Sequence, residues 1–259
     1  TLPSFSFSEL SNVTIASGGN INATMKGYGP RPVGGLPGFG PGGGGGGATG
    51  IGTGAGSYGG YGATNGSANA ILRAYGSISN PRDLGSAGGS PETGCTKPGM
   101  SGGGAIFINA TGTFNNSGTV EANGGNGALD NCVKGSGSGG SILVHATTLK
   151  GTGVFQADGG GNTFSGSEPG GGGGGGGRIA LHYGNSSFAG TISANGGTAV
   201  GATKQGGAGT IFRKASNSST IDLTINTAKG GGSDAYTPIN DSLGFDNETL
   251  AIIIYPDAI

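Results

Sequence analysis

Between residues 103 and 232 the chain writes one hydrophobic pattern four times. Segments beginning at Gly103, Gly139 and Gly176 read GGAIFINATGTFNNSGTVEANGG, GGSILVHATTLKGTGVFQADGG and GGRIALHYGNSSFAGTISANGG. A fourth, from Gly207, reads GAGTIFRKASNSSTIDLTINTAKGG; it keeps the frame and drifts in its second half. With the first isoleucine as marker, the units fall at Ile106, Ile142, Ile179 and Ile211, in steps of 36, 37 and 32 residues. Each unit holds two strand signals. In the first, Ile106 and Ile108, Ile142 and Val144, and Ile179 and Leu181 alternate with Ala105, Phe107, Ser141, Leu143, Arg178 and Ala180, the period-two pattern of a strand with one buried face. The second signal pairs a large residue with a small one: Val120 with Ala122, Phe155 with Ala157, Ile192 with Ala194. Asn123, Asp158 or Asn195 follows, then Gly-Gly, a combination suited to a sharp turn.

A single unit of this kind cannot bury its apolar face, whereas equivalent strands stacked about 4.8 Å apart share a core and satisfy one another's backbone. The expectation is an all-β chain, a right-handed parallel β-helix or β-solenoid with long glycine-rich loops. The chain divides into opening strands over 1–27, a glycine-rich excursion over 28–104, repeated units over 105–232, and a terminal cap or assembly strand over 233–259, all in one domain. The alternating face holding Ala105, Ser141, Arg178 and Thr210 is expected to point to solvent.

Composition sharpens this picture. Glycine supplies 66 of 259 residues and only 32% are hydrophobic, so the core must be thin and the ordering of so much glycine must be offset elsewhere. The runs Gly42 to Gly47 and Gly170 to Gly177 suit either flexible loops or polyproline-II chains, which glycine lets pack closely. Twelve basic residues balance thirteen acidic ones, which argues against a nucleic-acid partner. The longest apolar run, Leu250 to Tyr255, is far short of the roughly 20 residues that cross a bilayer; it reads as a strand buried on both faces.

Nine Asn-X-Ser/Thr sequons, at Asn12, Asn22, Asn65, Asn109, Asn115, Asn185, Asn217, Asn240 and Asn247, are candidates for N-linked glycans. Cys95 and Cys132 form one even pair, most simply a disulfide in a secreted, extracellular chain. Such a bridge would close a loop of about 37 residues and contribute roughly 3–4 kcal/mol.

Candidate chemistry is sparse. Alignment of the units places Asn109, His145, His182 and Lys214 at one equivalent position. Two stacked imidazoles could share Zn²⁺ or Cu²⁺, but the flanking residues are poor third ligands, so the expectation is a solvent-facing polar ladder and no metal. Asn123, Asp158 and Asn195 could offer oxygens to Ca²⁺, yet only one is charged and a turn role is preferred. Acidic residues are scattered and no serine or cysteine sits in a nucleophile motif. No catalysis and no cofactor are expected.

The repeated G-G-x-I-x-[IVL] strand, the [VFI]-x-A-[ND]-G-G strand and the polyglycine runs between them resemble the glycine-rich β-helix regions of microbial surface and filament proteins, over roughly residues 101–232. The resemblance implies an extracellular scaffold and assigns no catalytic residue. The expected role is a structural protein, a protomer of a glycosylated surface fibre or coat that self-associates into a homopolymer. The alternative is an adhesin or other carbohydrate- or surface-binding module. An ice-binding face is disfavoured, since the positions Ala105, Ser141, Arg178 and Thr210 form no threonine row.

Overall fold

In the computed structural model each of the first three repeats becomes one long and one short strand joined by a two-residue corner. The structure describes residues 4–32, 34–48, 52–64, 73–92, 97–127, 133–162, 170–199, 204–226, 236–239 and 249–255, with Asn226 and 249–255 described by backbone alone. The long strands are β1 (Ser4–Leu10), β4 (Ala105–Asn116), β6 (Ser141–Gly151), β8 (Arg178–Phe188) and β10 (Thr210–Ala215). The short ones are β2 (Val13–Ile15), β3 (Asn20–Asn22), β5 (Thr119–Glu121), β7 (Val154–Gln156) and β9 (Thr191–Ser193). Two more, β11 (Thr220–Asn226) and β12 (Thr249–Tyr255), follow.

One sheet has eight strands in the order β1-β4-β6-β8-β10-β11-β12, with β2 pairing the distal half of β4; the other has four, β3-β5-β7-β9. The marker isoleucines are in register, Ile106 opposite Ile142, Ile142 opposite Ile179, and Ile179 opposite Ile211. Between the sheets lies the core, in which Ile106, Ile108, Ile142, Val144, Ile179 and Leu181 meet Val120 and Phe155 of the short sheet. Each fully buried large aliphatic side chain contributes about 1.5–3 kcal/mol. Phe155 sits edge-on to Phe114 with ring centroids 6.0 Å apart.

The expected parallel β-helix is not what forms. The chain makes two open sheets and does not close into a solenoid, because among the described residues the third side of each repeat carries no strand. Direction also reverses: β11 runs antiparallel to β10, and β12 pairs parallel with β11, so the last two strands oppose the rest. Alternation such as that of Thr220–Asn226 fits either direction, and the turn at 216–219 selects the antiparallel one. A second correction concerns the face expected in solvent. Ala105, Ser141, Arg178 and Thr210 are buried, Arg178 to 1% exposure, because Tyr58, Tyr75 and Asp83 of the glycine-rich excursion fold back over this face. The apolar run Leu250 to Tyr255 does form a strand, β12, which among the described residues pairs with β11 alone, at the edge of the long sheet.

Glycine-rich segments build the third side, as a buried layer with neither helix nor strand over most of its length. Their amides bond outward with a period of three. Gly85 and Gly88 donate to Gly103 and Met100, Ala87 and Ser90 to Phe39 and Leu36, while Gly89 donates to Gly54. Likewise Gly135 and Ser138 donate to Gly89 and Ser86, and Gly137 and Gly140 to Gly125 and Ala122. Three residues per turn is the repeat of an extended chain without internal hydrogen bonds, so every backbone group is free to serve a neighbouring segment. Close approach makes glycine obligatory at such points: a Cβ on Gly177 would strike the carbonyl of Gly140, and one on Gly140 that of Gly104.

Candidate functional site: ladders, a groove and an open end

Across the long sheet Asn109, His145, His182 and Lys214 occupy one register. The pairing of β4 with β6 is irregular just beyond them, between Ala110 and Thr113, and a groove of about 500 Å³ lies across the strands at these positions. Asn109 and His145 are exposed, His182 and Lys214 half-buried. The two imidazoles stack at 4.5 Å with 4° between their planes. His182 Nε2 lies 2.7 Å from the carbonyl oxygen of Ser79; a carbonyl only accepts, so Nε2 carries the proton and Nδ1 is left as an acceptor. Burial, more than any charge, pushes both histidines below their ordinary pKa of 6.5, with His182 and Arg82 adding to the effect at His145, and Lys214 opposing protonation of His182.

Parallel rings send their lone pairs in parallel directions, so no point lies about 2.0–2.1 Å from a nitrogen of each, as a shared zinc requires. Among the described residues no three His, Cys, Asp or Glu side chains gather to hold a metal. The stacked Asn123, Asp158 and Asn195 are used otherwise. Asn123 Oδ1 accepts from the amide of Asp158 at 2.9 Å, and Asp158 Oδ1 from that of Asn195 at 2.6 Å. Gln156 Nε2 and Ser193 Oγ donate to Asp158 Oδ2. Asn123 Oδ1 and Asp158 Oδ1 thus link each repeat to the next, whereas Asn195 Oδ1 is buried without a hydrogen-bond partner among the described residues.

Asn12, Asn22, Asn109, Asn185 and Asn217 of the sequon asparagines are exposed and Asn115 is half-buried. The Asn22 amide is engaged on both atoms, donating to Glu121 at 2.6 Å and accepting from the Thr24 amide at 2.8 Å. Asn65, Asn240, Asn247, Cys95 and Cys132 lie outside the described residues.

Sequence reasoning did not find the buried polar cluster behind the long sheet. Ser141 Oγ donates to the Asp83 carbonyl at 2.6 Å, so the Tyr58 hydroxyl, 2.7 Å away, donates to Ser141. Arg178 donates to the Tyr75 carbonyl at 3.0 Å and to Thr210 Oγ1 at 3.2 Å. Burial pushes the Tyr58 and Tyr75 phenols far above their ordinary value of 10.0, so both stay protonated. The residues that seal this cluster come from the excursion, whose scattered tyrosines gave no periodic signal.

At the opening strands β1, β2 and β3 the sheets end in the open. Phe5 and Leu10 are 38% and 39% exposed. A groove of about 470 Å³ there is lined by Phe7, Leu10, Val13, Ile15 and Ile21, side chains that would meet the next layer if one were present. No family model, curated protein or solved structure matches the chain. Among the described residues no helix is long and apolar enough to cross a membrane.

Proposed function

We propose that this chain is an extracellular structural protein, a glycosylated protomer that assembles head to tail into a fibre or coat. The observation that carries the reading is the uncovered end at β1, β2 and β3, where apolar side chains of the core stand open beside a strand edge that is unpaired among the described residues. Such an edge invites another strand. A second copy supplies one of the right kind: β1 and β12 are both seven-residue edge strands at opposite ends of the same sheet. Since β12 opposes β1 in direction, copies stacked in one orientation would pair these edges antiparallel. That contact is heterologous, the kind that propagates without closing. Exposed sequons on strands and corners support a glycosylated surface.

The test is negative-stain electron microscopy and sedimentation of native material beside a Phe5→Lys/Leu10→Lys variant. Filaments or large oligomers are expected for the native chain, and monomers with an unchanged circular dichroism spectrum for the variant. A native chain that stays monomeric at every concentration, or a variant that assembles as well as the parent, would refute the reading. A second reading, a module that binds a saccharide surface, is favoured by the groove over the histidine ladder.

A further inference from the structure

We propose, resting on the glycosylated part of the reading above, that an N-linked glycan on Asn109 folds back into the groove crossing β4, β6, β8 and β10 and is held there. Assembly is not involved, since the groove lies on a face and not at either end of the sheet.

The groove has two walls. One is the ladder that begins at Asn109 and continues through the two histidines. The other is Thr111, Thr147, Gly184 and Ser216, each two positions further along the same strand. Residues two apart share one face of a sheet, so both rows stand on the outer face. Between them lies the backbone of Ala110, Ala146 and Tyr183, whose side chains pack on the core from the other side. Asn109 and Thr111 are the first and third residues of a single sequon, so the attachment atom and the residue that directs attachment both belong to the groove. Asn109 is exposed, and its side-chain amide makes no hydrogen bond among the described residues.

The walls suit the neutral acetamido sugars with which an N-linked glycan begins, since these bring O–H and amide N–H donors. Thr147 Oγ1 spends its own proton on the Thr111 carbonyl at 2.7 Å, which leaves it an acceptor. His182 Nδ1 is an acceptor too, because the Nε2 proton is directed to Ser79. His145 either donates or accepts, according to its tautomer. The imidazoles are held by their 4.5 Å stack and by Phe212, 5.2 Å from His182, so little side-chain entropy remains to be lost. None of these contacts needs a charge.

Length and tethering favour the same occupant. Strands lie about 4.8 Å apart, and each linked pyranose advances a glycan by a similar distance, so the first sugars pass over β6 and β8 in step with the two rows. Attachment makes docking intramolecular, at an effective concentration of roughly millimolar; contacts too weak to hold a free saccharide then suffice. Asn185 and Asn217 are also exposed but do not line this groove, which makes them internal controls.

The experiment uses the full chain secreted by a eukaryotic host that attaches oligomannose glycans, in the Phe5→Lys/Leu10→Lys form so that contact between copies cannot shield a sugar. Glycopeptide mass spectrometry reads occupancy, and the rate of endoglycosidase trimming at each site is divided by the rate for the same glycopeptide after proteolysis. Asn109 is expected to be occupied and to be trimmed at least about tenfold more slowly in the folded chain, the protection given by a glycan seated about nine-tenths of the time. Asn185 and Asn217 should show little protection. Thr147→Val and His182→Gln, which keep the sequon, should each raise the Asn109 rate by at least about threefold, while Lys150→Gln, outside the groove, leaves it unchanged. Should a groove variant lose its thermal transition, the His182 imidazole resonances give a second readout: two strands away from Asn109, they should shift between the glycosylated chain and its Asn109→Gln form. Asn109 left bare while other sequons carry glycans, trimming as fast as at Asn217, unchanged rates in the groove variants, or unmoved His182 resonances would each overturn this proposal alone. A chain with every sequon bare overturns it together with the glycosylated part of the proposed function.

Discussion

Tyr58 shows how a polar group is made to work behind an otherwise apolar sheet. Its hydroxyl has one acceptor, Ser141 Oγ, which in turn spends its proton on the Asp83 carbonyl. Tyr58→Phe removes the donor and leaves a buried oxygen with unused capacity. The expected loss is about 1–2 kcal/mol in urea denaturation, against less than about 0.5 kcal/mol for the exposed Tyr28→Phe; equal effects would contradict the cluster. The histidine pair gives a pH prediction with a definite sign. Both native-state pKa values lie below the ordinary 6.5, so on acidification the unfolded chain takes up protons first. The pair's contribution to stability is therefore undiminished above 6.5 and is lost as pH falls from there through the depressed native values. Melting temperatures from about pH 7.5 to about 5 should drop more for the native chain than for His145→Gln/His182→Gln; a gap that stays constant would contradict this. The ladder itself could be read from the sequence, since stacking follows once the isoleucines are aligned. Its partner Ser79 could not, being 103 residues away in the chain and marked by no local pattern.

At the level of elements, the strands announce themselves and their surroundings do not. Ile106, Ile142 and Ile179 fix the register because a slip of one residue would turn each apolar row outward. The reversal at β11 left no such mark, nor did the covering of Arg178, which a two-state alternation can only call outward. The glycine layer is the least transparent element, since residues without side chains give no periodicity to read. Its construction nevertheless makes a sharp prediction. Gly177→Ala would drive a methyl group into the Gly140 carbonyl, with backbone on every side, and should cost at least about 3 kcal/mol or prevent folding. Gly29→Ala meets nothing within 4 Å and should change stability by less than about 1 kcal/mol. Denaturant midpoints of the two variants check this, and similar values would mean that the segments are not packed as described.

On the scale of the molecule, the two sheets and the glycine layer divide the labour. The sheets supply the apolar core, and the layer supplies a scaffold held almost wholly by backbone hydrogen bonds. Repetition along the sequence was enough to reveal parallel stacking, but not whether the stack closes, because closure depends on what the segments between strands do. They form a side of their own here, which is why two open sheets replace the expected β-helix. If the open end at β1, β2 and β3 is the assembly surface, removal of residues 250–259 should abolish assembly while preserving most of the β signal in circular dichroism, because β12 pairs only with β11 among the described strands. Loss of the signal as well would make β12 a cap for the sheet.

The tightness of the glycine layer also constrains how this gene can drift. In an ordinary core a missense change can enlarge or shrink a side chain, and neighbours absorb either error. At Gly140, Gly177 or Gly209 every available replacement adds atoms against a carbonyl that belongs to another glycine, so two backbones would have to move for one codon to vary. Sequence variety among natural variants should therefore collect on the strands and corners, while the most repetitive stretches of the chain stand as its least forgiving.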